Sequence, residues 1–147
     1  MGFLNWWQNK QDEDSEASQL NLLDNSSQPL APRERVDGAT VYKDFTQSIK
    51  DAGGSNKVIP NVVKAETQEL FDCTVDQLYK GTGARQGDRS TLPKEAQKAY
   101  MVNETVAKHE LDRTQDCDDS NNQAERDGRI VETVRSVSKT TRKWLPW

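Results

Sequence analysis

Apolar residues recur at helical spacing along most of this chain. Val41, Tyr42, Phe45 and Ile49 stand three and four positions apart and precede Gly53-Gly54, which predicts an amphipathic helix from Gly38 to Ala52 with a glycine stop. Val62, Val63, Glu66, Leu70 and Phe71 keep the same spacing, and Pro60 suits a first helical turn. Val58–Cys73 is therefore read as helix, although Val58-Ile59 alone would pass for a stub of strand. Thr74 is placed to cap a short helix carrying Val75, Leu78 and Tyr79, which Gly81 would close.

Pro93 at a first helical position, with Ser90 or Thr91 as cap, opens a breaker-free stretch from Lys94 to Leu111. Ala96, Ala99, Tyr100, Val106, Ala107 and Leu111 would form its buried stripe, and the alanines would admit a close neighbour. After an Asp/Asn-rich loop over 112–123, Ile130, Val134, Val137, Thr141 and Trp144 predict a last helix from Gln123 to Trp144, and Pro146 forbids its continuation. No stretch alternates with period two for long enough to predict a sheet. The expected fold is all-α, a small compact helical bundle over residues 36–147.

Residues 1–35 differ in kind. Phe3, Leu4, Trp6 and Trp7 cluster within the first ten positions, and a Ser/Gln/Asp-rich run follows as far as Arg35, so that 1–35 carries three basic and six acidic residues. Such a run buries too little apolar area to offset its ordering entropy, so 1–35 is expected to be a disordered arm with Leu20, Leu22 and Leu23 as a short docking turn. The four tryptophans fall at 6, 7, 144 and 147, with none between. Ring-rich ends gain by packing on something, so Phe3, Leu4, Trp6, Trp7, Trp144 and Trp147 are the expected partner-binding residues. Trp144 is expected to pack back on the bundle, since it continues the last stripe.

The whole chain is 147 residues, with 33% hydrophobic and 30% charged residues and a net charge of -4. A mean hydropathy of -0.97 implies a modest core. There is no run long enough to span a bilayer and no leader pattern. Cys73 and Cys117 fit neither a redox nor a zinc spacing, so a reducing, cytoplasmic setting is expected.

Gly81-Thr-Gly-Ala-Arg-Gln-Gly-Asp-Arg before a helix invites a phosphate-binding reading. Its glycine spacing misses the dinucleotide fingerprint, and no Gly-Lys-Ser/Thr completes a P-loop, which leaves a capped turn as the better reading. Arg85 and Arg89 would flank it. On the last helix Arg135, Lys139 and Arg142 recur at four and three positions and form a basic stripe. These five are the candidate nucleic-acid contacts, against the plainer reading of a solvated face. The acidic loop from Asp116 misses the calcium-loop glycine and glutamate positions, and His109 is the only histidine. No catalytic residue, metal site or cofactor is expected.

Leu78-Tyr-Lys-Gly-Thr-Gly, Arg89-Ser-Thr-Leu-Pro-Lys-Glu-Ala-Gln-Lys-Ala-Tyr-Met, Asn103-Glu104, His109-Glu-Leu and Ile130-Val-Glu-Thr-Val-Arg follow in an order and spacing that resembles the C-terminal region of the DNA-damage-inducible protein D family of bacteria, plasmids and phages. The likeness covers residues 70–144. It implies a non-enzymatic helical module in the bacterial response to DNA damage, acting on a recombinase filament on single-stranded DNA. Larger members carry an N-terminal domain like those of phage antirepressors, where this chain has a short tail. The expected function is a regulatory interaction protein of DNA metabolism that binds a protein partner and, through its basic residues, nucleic acid. The alternative is an adaptor that docks through its Trp-rich ends without nucleic acid. An isologous homodimer through the last helix is a further expectation.

Overall fold

The computed structural model describes residues 2–18, 32–114 and 122–147. The fold is all-α: α1 (Phe3–Ser18), α2 (Pro32–Asp51), α3 (Val58–Phe71), α4 (Val75–Thr82), a 3₁₀ turn (Arg89–Thr91), α5 (Lys94–Thr114) and α6 (Gln123–Arg142). Among the described residues there is no strand. Leu20, Leu22 and Leu23 and the acidic loop with Asp116 and Cys117 lie outside them.

Local chemistry sets most boundaries. The Thr74 hydroxyl accepts the Gln77 amide and the Gln77 side chain accepts the Thr74 amide, a reciprocal cap that starts α4. α4 runs through Gly81 and stops at Gly83, whose φ of 71° is the left-handed conformation glycine adopts freely. Gly81 has a different use: a Cβ there would lie 2.6 Å from a Leu4 methyl, so its absence lets α1 settle onto α4. Asp88 caps the 3₁₀ turn by accepting the Ser90 amide, and the Asn122 side chain accepts the Ala124 amide to open α6. α2 begins at Pro32, six residues before the predicted start, so the expected boundary at 36 falls inside a helix.

Four helices make the body, with α2 packed on α5, α5 on α6 and α6 on α3. α2 turns at Gly53-Gly54 into α3, and α5 returns as α6. Gly38 lies beside Met101 and Ser48 bonds Asp112, so α2 runs parallel to α5. Arg135 reaches Glu69 and Arg142 donates to the Glu69 carbonyl, so α3 pairs with α6. The α2–α3 turn is pinned where the Ser55 amide and hydroxyl donate to Asp127 at 3.0 and 2.7 Å. Near that end Phe45, Ile49, Val58, Val62, Ala107, Leu111, Ile130 and Val134 form one apolar cluster.

At the other end Phe3, Leu70, Phe71, Leu78, Tyr79, Leu92 and Tyr100 form a second cluster, against which Trp6, Trp7, Leu145 and Trp147 pack. Here the aromatic ends meet each other. Phe3 is fully buried, with its ring 4.6 Å from Trp147 and 5.1 Å from Phe71, and the Trp147 indole donates to the Leu70 carbonyl at 2.7 Å. Lys10 of α1 pairs with Glu95 of α5 at 2.6 Å. The opening segment is thus a helix docked on its own bundle. An apolar face of one turn suffices because tertiary packing rather than propensity stabilises it. Trp144 departs from its expectation in the other direction: α6 ends at Arg142, and the ring beyond it is 85% exposed.

Candidate functional site

Between the two apolar clusters lies a polar layer about one helical turn thick. Glu66 and Thr67 follow Val62 on α3, Asn103 and Glu104 follow Tyr100 on α5, and Ser138 follows Val134 on α6, all buried. Arg89 enters this layer from the 3₁₀ turn. Its Nη1 donates to both Glu104 oxygens at 2.8 and 2.9 Å, and its Nη2 stands 3.9 Å from Glu66. The guanidinium also lies against the rings of Tyr100 and Tyr42, 4.0 and 4.4 Å from their centres. Asn103 donates to Glu66 at 2.9 Å and to Ser138 at 3.0 Å. Thr67 donates to the Val63 carbonyl, so the Tyr100 hydroxyl 2.7 Å away is the donor to Thr67.

One cation and two carboxyls leave a charge to be settled. Burial, then the neighbouring Glu104, raises the Glu66 pKa well above the ordinary 4.5, against the pull of Arg89. Burial raises Glu104 as well, with Arg89 opposing. Burial works against a charged Arg89, but Glu104 and Glu66 outweigh it and its pKa is raised. With one cation shared by two buried carboxyls, the proton stays on Glu66, the more strongly shifted of the two. A neutral Glu66 beside an ionised Glu104 paired with Arg89 gives a layer of zero net charge. Glu66 Oε2 has no hydrogen-bond partner, and a protonated carboxyl leaves no unpaired charge on it. Arg89 Nη2 and Asn103 Oδ1 remain without partners.

Beside the layer is a cavity of about 500 Å³ between α2, α4, the loop and α5, lined by Tyr42, Tyr79, Tyr100, Met101, Arg89 and Glu104 among others. On the opposite side, α5 and α6 leave a groove with Val102 55% exposed, Val106 48% exposed and Trp144 at its end.

The predicted basic site is not assembled. Arg89 is an internal ion-pair partner of Glu104 and Glu66. Arg85 is exposed on the loop, 3.9 Å from Asp88. Arg135 is held by Glu132 and faces Glu69, and Arg142 donates to the Trp147 and Glu69 carbonyls. Lys139 is exposed, so the stripe is two residues turned to their own fold and one turned to solvent. Among the predicted partner-binding residues, Phe3 is enclosed and Leu4, Trp6, Trp7 and Trp147 are partly buried in the same cluster, which leaves Trp144 as the outward ring. His109 is exposed, and no metal-holding group occurs among the described residues. Burial, then Asp72, pushes the Cys73 thiol up to about 11, against nucleophilic use.

Glu66 enters the sequence reading only through helical spacing, Asn103 and Glu104 only through the resemblance and Ser138 not at all, yet their signal as a site is visible: each is a polar residue on the apolar stripe of its helix. Comparison of the chain with protein-family models, curated proteins and solved structures gives no match.

Proposed function

We propose that this chain is a non-enzymatic interaction protein of bacterial DNA metabolism, of the DNA-damage-response type, whose working surface is the α5/α6 face. The observation that supports the reading is the outward-facing Trp144 at the end of an apolar groove with Val102 and Val106. A tryptophan held in solvent beside exposed valines is the usual composition of a protein-binding surface. The basic residues expected to hold nucleic acid are mostly committed to acceptors within the fold, which favours a protein partner over a phosphate backbone.

The occupant we assign to this face is a second copy of the chain. Thr133, Val137 and Thr140 on α6 and Trp144 in the turn just beyond it stand four, three and four apart, a stripe separate from the buried Ile130, Val134, Ser138 and Thr141. It carries one large ring at one end and small side chains elsewhere. Two such stripes run antiparallel about a two-fold axis set each Trp144 over the small residues of the other. Knob and hole on one face make a surface complementary to itself.

Sedimentation velocity across a concentration series tests this with the intact chain, Trp144→Ser and Val106→Glu. The expectation is a wild-type dimer that both variants dissociate by at least about 30-fold, the loss for an interface anchor of about 2 kcal/mol, with little effect of salt. A wild-type monomer throughout would sink the assignment of the occupant. The DNA-metabolism setting is checked separately by binding to a recombinase filament on single-stranded DNA and to the bare strand. Binding to the filament alone is expected; binding to the bare strand that falls steeply with salt would restore the nucleic-acid reading.

A further inference from the structure

We infer that the cavity between α2, α4, the Arg89 loop and α5 is a binding site for a small, neutral, predominantly aromatic molecule, distinct from the α5/α6 face. Its volume, about 500 Å³, lies in the range of roughly 300–1,000 Å³ typical of small-molecule sites. Tyrosine, valine and methionine side chains supply most of its wall, and a few polar groups converge at Arg89 and Glu104.

Two observations set this cavity apart from an ordinary packing gap. Gly38 sits inside α2, where glycine costs about 0.5–1 kcal/mol relative to alanine. Packing does not require it: a Cβ there would meet only the Met101 side chain, at 3.4 Å and beyond. What Gly38 and its neighbour Ala39 do is keep the α2 wall of the cavity low, where larger apolar residues would close it. Second, the cavity borders a buried ionised layer in which Arg89 Nη2 makes no hydrogen bond and stands 3.9 Å from Glu66. A fold under pressure for stability alone gains by replacing such a trio with apolar residues. An open apolar wall against a buried ion pair is more typical of a site than of a core.

Charge decides the class of ligand. The charged groups lining the cavity are Arg89, Glu104 and Asp88. Arg89 is neutralised by Glu104, and Asp88 is held by the Ser90 amide and hydroxyl. An anion would enter between two carboxylates with no cation to spare. A cation would compete with Arg89 for Tyr42 and Tyr100, against which the guanidinium already lies. A neutral ring meets neither cost: it buries apolar surface on Tyr79 and Met101, and a ring N–H can donate to Glu104, whose carboxylate has lone pairs beyond those Arg89 uses.

The test is a charge series on one ring: indole, the anionic indole-3-acetate and the cationic tryptamine. Each is titrated into the intact protein while ¹³C-methyl resonances of Met101 and backbone amides are followed by NMR. Indole should shift Met101 and the Tyr42 and Tyr79 amides saturably, with the two charged analogues at least about tenfold weaker. Ala39→Leu should weaken indole binding by a similar factor and Gly38→Leu should abolish it. Trp144→Ser, on the far face, should leave it unchanged, so failure here is separable from failure of the self-association reading. If Gly38→Leu does not fold, Ala39→Leu and the charge series carry the test. Absence of saturable shifts with indole, equal binding of a charged analogue, or shifts centred on Trp144 and Val106 would each overturn the assignment.

Discussion

Replacing Arg89 with Met keeps an apolar stem between Tyr42 and Tyr100 while removing the guanidinium. Glu104, 1% exposed, then loses the cation it is paired with among the described residues. Stranding one charge of a buried pair costs about 3–5 kcal/mol. Because the Arg89 side chain retains 26% of its exposure, the lower figure of about 3 kcal/mol applies at pH 7. That is a large share of the roughly 5–15 kcal/mol available to a small domain. The loss should also depend on pH with a definite sign. A carboxyl whose folded pKa is raised binds its proton more tightly in the folded state. Its contribution is therefore full below the unfolded value, near 4.5, and drains as pH climbs toward the folded value. The native protein has this slope in a weaker form, since Arg89 holds Glu104 down. In Arg89→Met both glutamates follow it. The gap between variant and wild type should be about 1–2 kcal/mol at pH 4, where the lost ring contacts dominate, and about 3 kcal/mol at pH 7. Urea unfolding followed by far-ultraviolet circular dichroism at pH 4, 5.5 and 7 measures it. A gap under 1 kcal/mol at pH 7, or one of equal size at pH 4, would refute the reasoning.

Glu66→Gln preserves the shape and the bond from Asn103 while removing a titrating group, so it should match or exceed wild-type stability at pH 7 and flatten the pH dependence of the urea midpoint. Trp147→Ala deletes the bond to the Leu70 carbonyl and the contacts with Phe3, Trp6 and Phe71, and should cost about 3 kcal/mol by thermal or urea unfolding. Trp144→Ser should stay within about 0.5 kcal/mol of wild type in the monomer by the same measurement. In a Cys117→Ser background, iodoacetamide at pH 8 should modify Cys73 only at the rate of global or local opening; fast labelling of the native protein would contradict its burial and raised pKa.

Periodicity made the helices of the body legible, because an apolar stripe at three and four is what each presents to the others. Thr74 as a cap, Pro93 at a helix start and the glycine stop after α2 could be read from local chemistry alone. The pairing of the two chain ends could not. Phe3 and Trp147 carry no periodic signal that links them, and only the fold shows that each is the other's cover. The same limit explains Arg89: in sequence it is one of two arginines in a glycine-rich loop, and its partners Glu66 and Glu104 lie on two different helices. A charged residue on an apolar stripe flags a buried site, yet gives no indication of which distant cation neutralises it. Several residues that carry the family resemblance, Arg89, Tyr100, Asn103 and Glu104, are members of this layer. That makes them fold-determining positions, and a likeness in them speaks first to architecture.

The aromatic clasp also constrains the order of folding. Phe3 and Phe71 touch Trp147, so the cluster spans nearly the whole chain and is a contact of the highest sequence separation. Closing so long a loop carries entropy that only the finished cluster repays. α2 and α3 find their packing partners, α5 and α6, only later in the chain, and α1 has no complete seat until Trp147 has been added. During translation the tryptophan-bearing first helix would wait, exposed, for Trp147 to arrive, and a chain cut short before Trp147 would leave it waiting permanently.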